Sequence, residues 1–321
     1  MTQRARIDPD SRIPLESMLR DFPGGVNRIP DLATRRQIDE QLARDWADQN
    51  LGADGVIRED IRVPRSEDAP DLTLRVYRPV SRSGSLPCIY FIHGGGMIMG
   101  SLLSEDHVAS MLCERVGALV VSVDYRLAPE NPYPIPVDDC FDGLDWTAQH
   151  ADHLCVDLRR LAIYGGSAGG GLALACVLRS RDQGGPRISF AMTIYPMIDD
   201  RNETPSSKEI TDVGVWDRAA GIEAWTMYLG GKSPDQYAAP AQAQDLSGLP
   251  PTFIDVGEVD MFRDESISFA ARLMQAGVPT ELHVYPGAYH ASELIAPNAH
   301  LSRRIWATRI AALKKALRAE S

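Results

Sequence analysis

Ser167 stands in Gly165-Gly166-Ser167-Ala168-Gly169, directly after the apolar run LAIYG and directly before the helix-like GGLALACVL. A serine on a tight strand-to-helix turn projects its hydroxyl above a sheet, and glycines flank it where neighbouring backbone leaves no room for a Cβ. The helix N-terminus behind it favours developing negative charge. GxSxG alone is a common chance pattern, and the strand-turn-helix setting gives it weight. The competing reading, a glycine-rich phosphate loop, lacks the lysine of a P-loop. The chemistry that fits is acyl transfer through a covalent intermediate, with Ser167 as nucleophile.

Such a reaction passes through a tetrahedral oxyanion and needs preorganised N–H donors. His93-Gly94-Gly95-Gly96, at the end of PCIYFI, offers unshielded backbone N–H groups. Gly95, Gly96 and Ala168 are the expected donors, and His93 is read as a brace for the loop. A plain glycine turn is the bland alternative. The serine also needs a base and an orienting acid, expected downstream in the order Ser, Asp or Glu, His. Among seven histidines only His290 and His300 lie beyond the last expected strand, and His290, in VYPGAYHAS, sits just past that strand's end. His300 falls in or near the final helix, where a solvated face is expected. Asp260, after TFIDVGE, is the expected acid, with Glu258 and Asp264 as fallbacks. Asp264 is also the expected cap of the following helix. No cofactor or metal is expected. Cys88, Cys113, Cys140, Cys155 and Cys176 form no ligand spacing and read as buried free thiols in a reducing cytoplasm.

Elements that hold a serine, an acid and a histidine at one edge are strands alternating with helices. LTLRVYRP, PCIYFIH, ALVVSVDY, LAIYG, ISFAMTIYP, TFIDVGE and ELHVYPG are short β-branched or apolar runs. The middle ones are apolar on both faces, as a parallel sheet covered by helices requires. Helices are expected at 104–116, 136–150, 168–182, 264–277 and 297–319, giving an open α/β sheet. Asp199 to about Ala238 interrupts this with a polar stretch and one helix, VWDRAAGIEAWTMYL, long enough for a functional connection. From about Ile13 to Asn50 the chain reads as polar helices, with Ile38, Leu42 and Trp46 at four-residue spacing.

With 321 residues, 44% hydrophobic and 24% charged, the chain is long and apolar enough for a sizeable core. The N-terminus is too polar for a signal peptide, so a cytoplasmic location is expected. A net charge of −11 opposes nucleic-acid phosphates and anionic membranes as partners. A homodimer is left open.

Together HGGG at 93–96, DYRLAPE at 124–130, GGSAGG at 165–170, the Asp260 to Glu265 segment and the Gly287 to His290 turn resemble the hormone-sensitive-lipase-like bacterial carboxylesterases. The resemblance runs from about residue 60 onward. It implies the α/β-hydrolase fold, a Ser167-Asp260-His290 triad, a Gly95-Gly96-Ala168 oxyanion hole and a helical cap. On that basis the chain divides into a cap segment at 1–57, a core at 58–198 and 239–321, and a second cap segment at 199–238. Gly166 and Met97 depart from the family pattern, which commonly has an acidic or small polar residue before the nucleophile and an aromatic or aliphatic one after the triple glycine. Arg126 and Glu130 read as loop braces. Trp216, Trp225, Met227 and Tyr228 read as either pocket lining or cap packing. The implied activity is hydrolysis of short- to medium-chain carboxylic esters, since the polar insertion is poorly suited to a lipid surface. The same triad serves an amidase or lactonase, and a non-catalytic receptor on this scaffold is the alternative of a different class.

Overall fold

Strands of branched and aromatic residues that are apolar on both faces bury best in the middle of a sheet with helices on each side. The computed structural model describes residues 3–49, 55–65, 70–82 and 84–318, without the side chains of 46–49. Its eight strands are β1 Val56–Val63, β2 Leu72–Pro79, β3 Leu86–Ile92, β4 Leu119–Asp124, β5 Val156–Gly166, β6 Phe190–Ile194, β7 Thr252–Val259 and β8 Thr280–Tyr289. They lie in the order β1-β2-β4-β3-β5-β6-β7-β8. The β1–β2 and β2–β4 pairs are antiparallel and the others parallel. The helices are α1 Pro9–Asp21, α2 Leu32–Gln49, α3 Asp106–Leu112, α4 Ile135–Gln149, α5 Ala151–Leu154, α6 Ala168–Gln183, α7 Pro205–Glu209, α8 Arg218–Leu229, α9 Arg263–Gln275, α10 Ser292–Ile295 and α11 His300–Ala316.

The alternation of β3 shows how the sheet is sandwiched. Cys88, Tyr90 and Ile92 join one buried cluster with Val137 of α4, Leu172 of α6 and Phe269 of α9. Ile89 and Phe91 join another with Val108 of α3 and Leu313 of α11. Successive side chains point to opposite faces, so one strand feeds two cores.

β1 was absent from the sequence expectation. Its sequence, VIREDIRV, buries only its end residues, and an edge strand paired on one side needs no apolar run. The 57/58 boundary falls inside it. Charged side chains hold it instead: Asp60 accepts from Arg75 at 2.6 Å and Arg58 reaches Asp106 at 3.1 Å. In α2, Ile38 is partly buried and Leu42 is 47% exposed; the Trp46 side chain lies outside the described residues. Four cysteines are buried free thiols, but Cys155 is exposed, because it sits in the left-handed turn between α5 and β5. Among the described residues no helix is long and apolar enough to cross a membrane.

Candidate active site

The parallel strands β5, β7 and β8 end at one edge of the sheet, and each hands over one polar side chain there. Ser167 follows β5 with φ 55° and ψ −121°, a conformation that costs a non-glycine residue about 1–3 kcal/mol. Its surroundings enforce that geometry. The Ser167 N–H donates to the Ile194 carbonyl at 2.8 Å, and the Ser167 carbonyl accepts from Met197 at 3.0 Å and Gly171 at 3.1 Å. A Cβ on Gly165 would lie 2.1 Å from the Gly169 carbonyl oxygen, and one on Gly169 would lie 2.1 Å from that of Ile92. Strand and helix therefore touch main chain to main chain at this turn. Ser167 occupies the N-cap position of α6, where a serine hydroxyl ordinarily bonds its own helix. It makes no such bond, and its Oγ instead lies 3.0 Å from His290 Nε2.

His290 directly follows β8, and its Nδ1 lies 2.9 Å from Asp260 Oδ2, just beyond β7. Asp260 is fully buried and its other oxygen accepts the Phe262 N–H at 3.0 Å. With Nδ1–H donating to the carboxylate, Nε2 is left as an acceptor for the serine hydroxyl, the tautomer a general base needs. Rings fix the imidazole from three sides: Tyr195 at 4.6 Å, Phe262 edge-on at 5.3 Å and Trp216 at 6.3 Å between centroids. The three residues expected from sequence are thus brought into one hydrogen-bonded chain.

The fallback acids have other partners. Glu258 accepts from Arg6 at 2.9 Å and from the Gly287 N–H at 3.0 Å. Asp264 does not cap α9 as expected: that helix begins one residue earlier with no side-chain cap, and Asp264 accepts the Ser206 N–H of α7 at 2.7 Å. His300 is the exposed first residue of α11. Arg126 and Glu130 do not pair with each other. Arg126 holds buried Asp139 at 2.7 Å, and Glu130 receives Arg36 of α2 at 2.8 Å.

The 93–96 loop lies beside the serine. Gly95 has φ +106° and its carbonyl accepts from Met99 at 2.9 Å. A Cβ there would lie 2.3 Å from the Met99 carbonyl oxygen, so both backbone and space demand glycine. The Gly95 and Gly96 N–H groups make no hydrogen bond to any described residue, whereas the Gly94 N–H donates to Glu105 at 2.8 Å. His93 braces the loop as expected: its ring stacks on Tyr125 at 4.2 Å and Nδ1 donates to the Gly94 carbonyl at 2.8 Å. Burial drives its pKa down to about 4, so it stays neutral.

A cavity of about 220 Å³ opens over Ser167 and His290. Met18, Leu42, Val215, Trp216 and Leu294 give it apolar walls, and Asp39 and Glu105 are its acidic lining. Segments 3–49 and 199–238 both contribute to these walls. Of the four residues weighed as lining or packing, Trp216 lines the cavity, while Trp225 and Tyr228 are buried and Met227 packs against the core. Sequence reading did not pick out Glu105, which stands beside Asp106 after the glycine loop with no motif around it. A larger cavity, about 850 Å³ and rich in arginine, opens among residues 157–160, 185–189 and 248–251, at the opposite ends of the strands, and holds no triad residue. In an open α/β sheet ligands bind beyond the carboxyl ends of the strands, which is where the 220 Å³ cavity lies.

This strand order, sharp serine turn and Ser-His-Asp chain define an α/β-hydrolase. The model of the alpha/beta hydrolase fold family matches residues 89–294, and the chain belongs to that family, in its hormone-sensitive-lipase-like branch. It is 36% identical over 335 residues to carboxylesterase NlhH of Mycobacterium tuberculosis, covering 99% of this chain and 100% of that protein. It is 38% identical over 215 residues to esterase LipI of the same organism, covering 65% and 67%. Among solved structures, bacterial heroin esterase superposes with a TM-score of 0.92 at 36% identity, over 99% of this chain and 100% of that one.

Proposed function

We propose that the chain is a carboxylic ester hydrolase with Ser167 as nucleophile, His290 as general base and acid, and Asp260 as the residue that orients the imidazole. The observation that carries this reading is the continuous path from Ser167 Oγ to His290 Nε2 at 3.0 Å and from Nδ1 to Asp260 at 2.9 Å. In the acylation half, Oγ attacks the ester carbonyl as its proton passes to Nε2. The tetrahedral oxyanion is received by the Gly95, Gly96 and Ala168 N–H groups, and the alcohol leaves with the proton from Nε2. Water, deprotonated by the same nitrogen, then attacks the acyl-serine and releases the acid.

Residues 3–49 and 199–238 serve as a cap that closes the site to bulk water, a role supported by Met18, Leu42 and Trp216 in the cavity wall. A cavity of about 220 Å³ favours short or medium acyl groups, being smaller than the ~300 Å³ at which drug-sized ligand pockets begin. The test is a panel of p-nitrophenyl esters of graded chain length beside matching anilides. Fastest turnover at short or medium chain, with the anilides far slower, is expected. A rate rising steadily to C16 with a jump above the solubility limit would make the protein a lipase, and comparable anilide rates would make it an amidase.

A further inference from the structure

Glu105 is an ionisable side chain in the cavity wall that the triad does not use. It occupies the N-cap position of α3, where side-chain oxygens ordinarily satisfy the helix's own first N–H groups. Here that bond is not made. The carboxyl reaches back across eleven residues instead, and Oε1 accepts the Gly94 N–H at 2.8 Å. Gly94 is held from its other side as well, its carbonyl accepting from His93 at 2.8 Å and from the Tyr125 hydroxyl at 3.3 Å.

We propose that Glu105 is the positioning residue of the oxyanion loop: by gripping the Gly94 N–H it fixes the peptide from which the Gly95 and Gly96 donors extend. The inference rests on the esterase reading above. The point of grip lies close to the chemistry. The position a Gly94 Cβ would take is 3.0 Å from Glu105 Oε1, 3.2 Å from the Gly166 carbonyl oxygen and 3.6 Å from Ser167 Cβ. Carboxyl, loop and serine turn therefore converge, and a displacement of Gly94 is a displacement beside the nucleophile. Further along, the loop is tied by the Ile98 and Met99 N–H groups to the Gly95 carbonyl and by Ala128 and Arg36 to the Met97 and Ile98 carbonyls, while Glu105 anchors the Gly94 N–H from the N-cap of α3. An oxyanion donor works because it needs no reorganisation when charge develops, and misplacement on the ångström scale forfeits that.

The grip strengthens when the carboxyl is ionised, because a charged acceptor makes the stronger hydrogen bond. Burial raises the Glu105 pKa to about 7. Asp39 of α2 and Glu293 of α10 push the same way, while the Gly94 N–H and Arg309 of α11 pull it back. His290 shares the cavity, Asp106 follows on its own helix, and His93 across the loop is neutral. As pH rises through about 7, Glu105 gains its charge and the grip tightens, so its ionisation steepens the acid limb of the rate profile.

The test compares Glu105→Ala, Glu105→Gln and Ser167→Ala on a soluble p-nitrophenyl ester. Glu105→Ala is expected to lower kcat about tenfold to a hundredfold with KM nearly constant, the signature of an interaction realised in the transition state. Glu105→Gln, isosteric and still able to accept the Gly94 N–H but without the charge, restores part of the lost kcat and removes the Glu105 ionisation from the acid limb. Thermal midpoints are read alongside, and Glu105→Gln alone decides the pH arm if the alanine variant does not fold. Normal kcat in Glu105→Ala, a change confined to KM, or a glutamine variant no better than alanine overturns the proposal. If Ser167→Ala retains turnover, the esterase reading itself fails; if Ser167→Ala is dead and Glu105→Ala is normal, only the positioning role falls.

Discussion

At the floor of the cavity the Ser167 turn is locked by main chain pressed against main chain, whereas the two proposed cap segments over it are clamped to each other largely by arginines from the first 36 residues. Arg4 donates to the Asp212 carbonyl at 2.7 Å, Arg6 pairs with Glu209, Arg28 reaches Asp217 at 2.6 Å, and buried Arg35 forks onto Glu223 at 2.6 and 2.7 Å. Arg36 ties the same segment to the catalytic loops, donating to the carbonyls of Ile98 and Ala128 at 2.7 Å each. Backbone contacts of the first kind have no second arrangement within reach, so the geometry is fixed before substrate arrives. Charge pairs, most of them partly exposed, hold more weakly and are screened by salt. A floor locked by main chain under a cover clamped by side-chain charge suits the proposed division, in which the chemistry is constant and the substrate range is set from above.

The comparison breaks first at the floor. His290→Ala should lower turnover by about 10⁴-fold or more, as expected for a triad member, with little change in thermal midpoint, while His300→Ala stays near wild type. Steady-state ester hydrolysis with a parallel melting curve decides it, and an inactive His300 variant would mean the base has been misassigned. Next, Gly95→Ala should cost about 10²- to 10³-fold in kcat, the scale of one lost oxyanion donor. The cause is the Met99 carbonyl oxygen 2.3 Å from the new Cβ. Normal kcat in that variant would place the donors elsewhere.

At the cover the effects should be smaller and of another kind. Glu223→Ala strands the guanidinium of Arg35, which is only 1% exposed. Leaving a buried charged donor unpartnered costs about 1–3 kcal/mol, so the melting temperature should fall by several degrees. KM and the preference among acyl lengths should shift more than kcat on the shortest ester. A kcat loss as large as that of Gly95→Ala would show that cover and floor are one mechanical unit.

The same contrast explains what could be read from the sequence. The Ser167 turn and Gly95 were legible because crowded backbone admits few residue types and leaves a local motif, and Gly96, crowded by the Trp216 ring, came with that motif. Asp260 and His290 followed from chain order, since parallel strands deliver their ends to one edge. The arginine clamps were not legible. Arg6 and Glu209 lie 203 residues apart, and nothing local marks either as a partner. β1 escaped because an edge strand buries few side chains, and Asp264 was misread because α7, which claims its carboxylate, cannot be placed over α9 from sequence alone.

The smallest effect is expected at Gly166, and it separates two neighbouring glycines of one motif. At Gly165 a Cβ meets the Gly169 carbonyl oxygen at 2.1 Å, but at Gly166 the nearest atom is on the Tyr195 ring at 3.6 Å, an ordinary van der Waals contact. Gly166 also ends β5 outside the left-handed region, so an alanine there needs no backbone change. The departure of this position from the family pattern is then a matter of an unfilled space beside Tyr195. Gly166→Ala should leave kcat/KM within roughly twofold of wild type, the range of about ±0.5 kcal/mol for a substitution that disturbs no packed or buried polar feature. By restricting the unfolded chain it should stabilise the protein by about 0.4–1 kcal/mol, a rise in melting temperature of roughly one to three degrees. Gly165→Ala, made beside it, should lose both fold and activity. If the two variants fail alike, the Tyr195 side of the turn is as tightly closed as the Gly169 side. The rigidity of the floor would then extend through β6, and the unfilled space at Gly166 would not be available to a side chain.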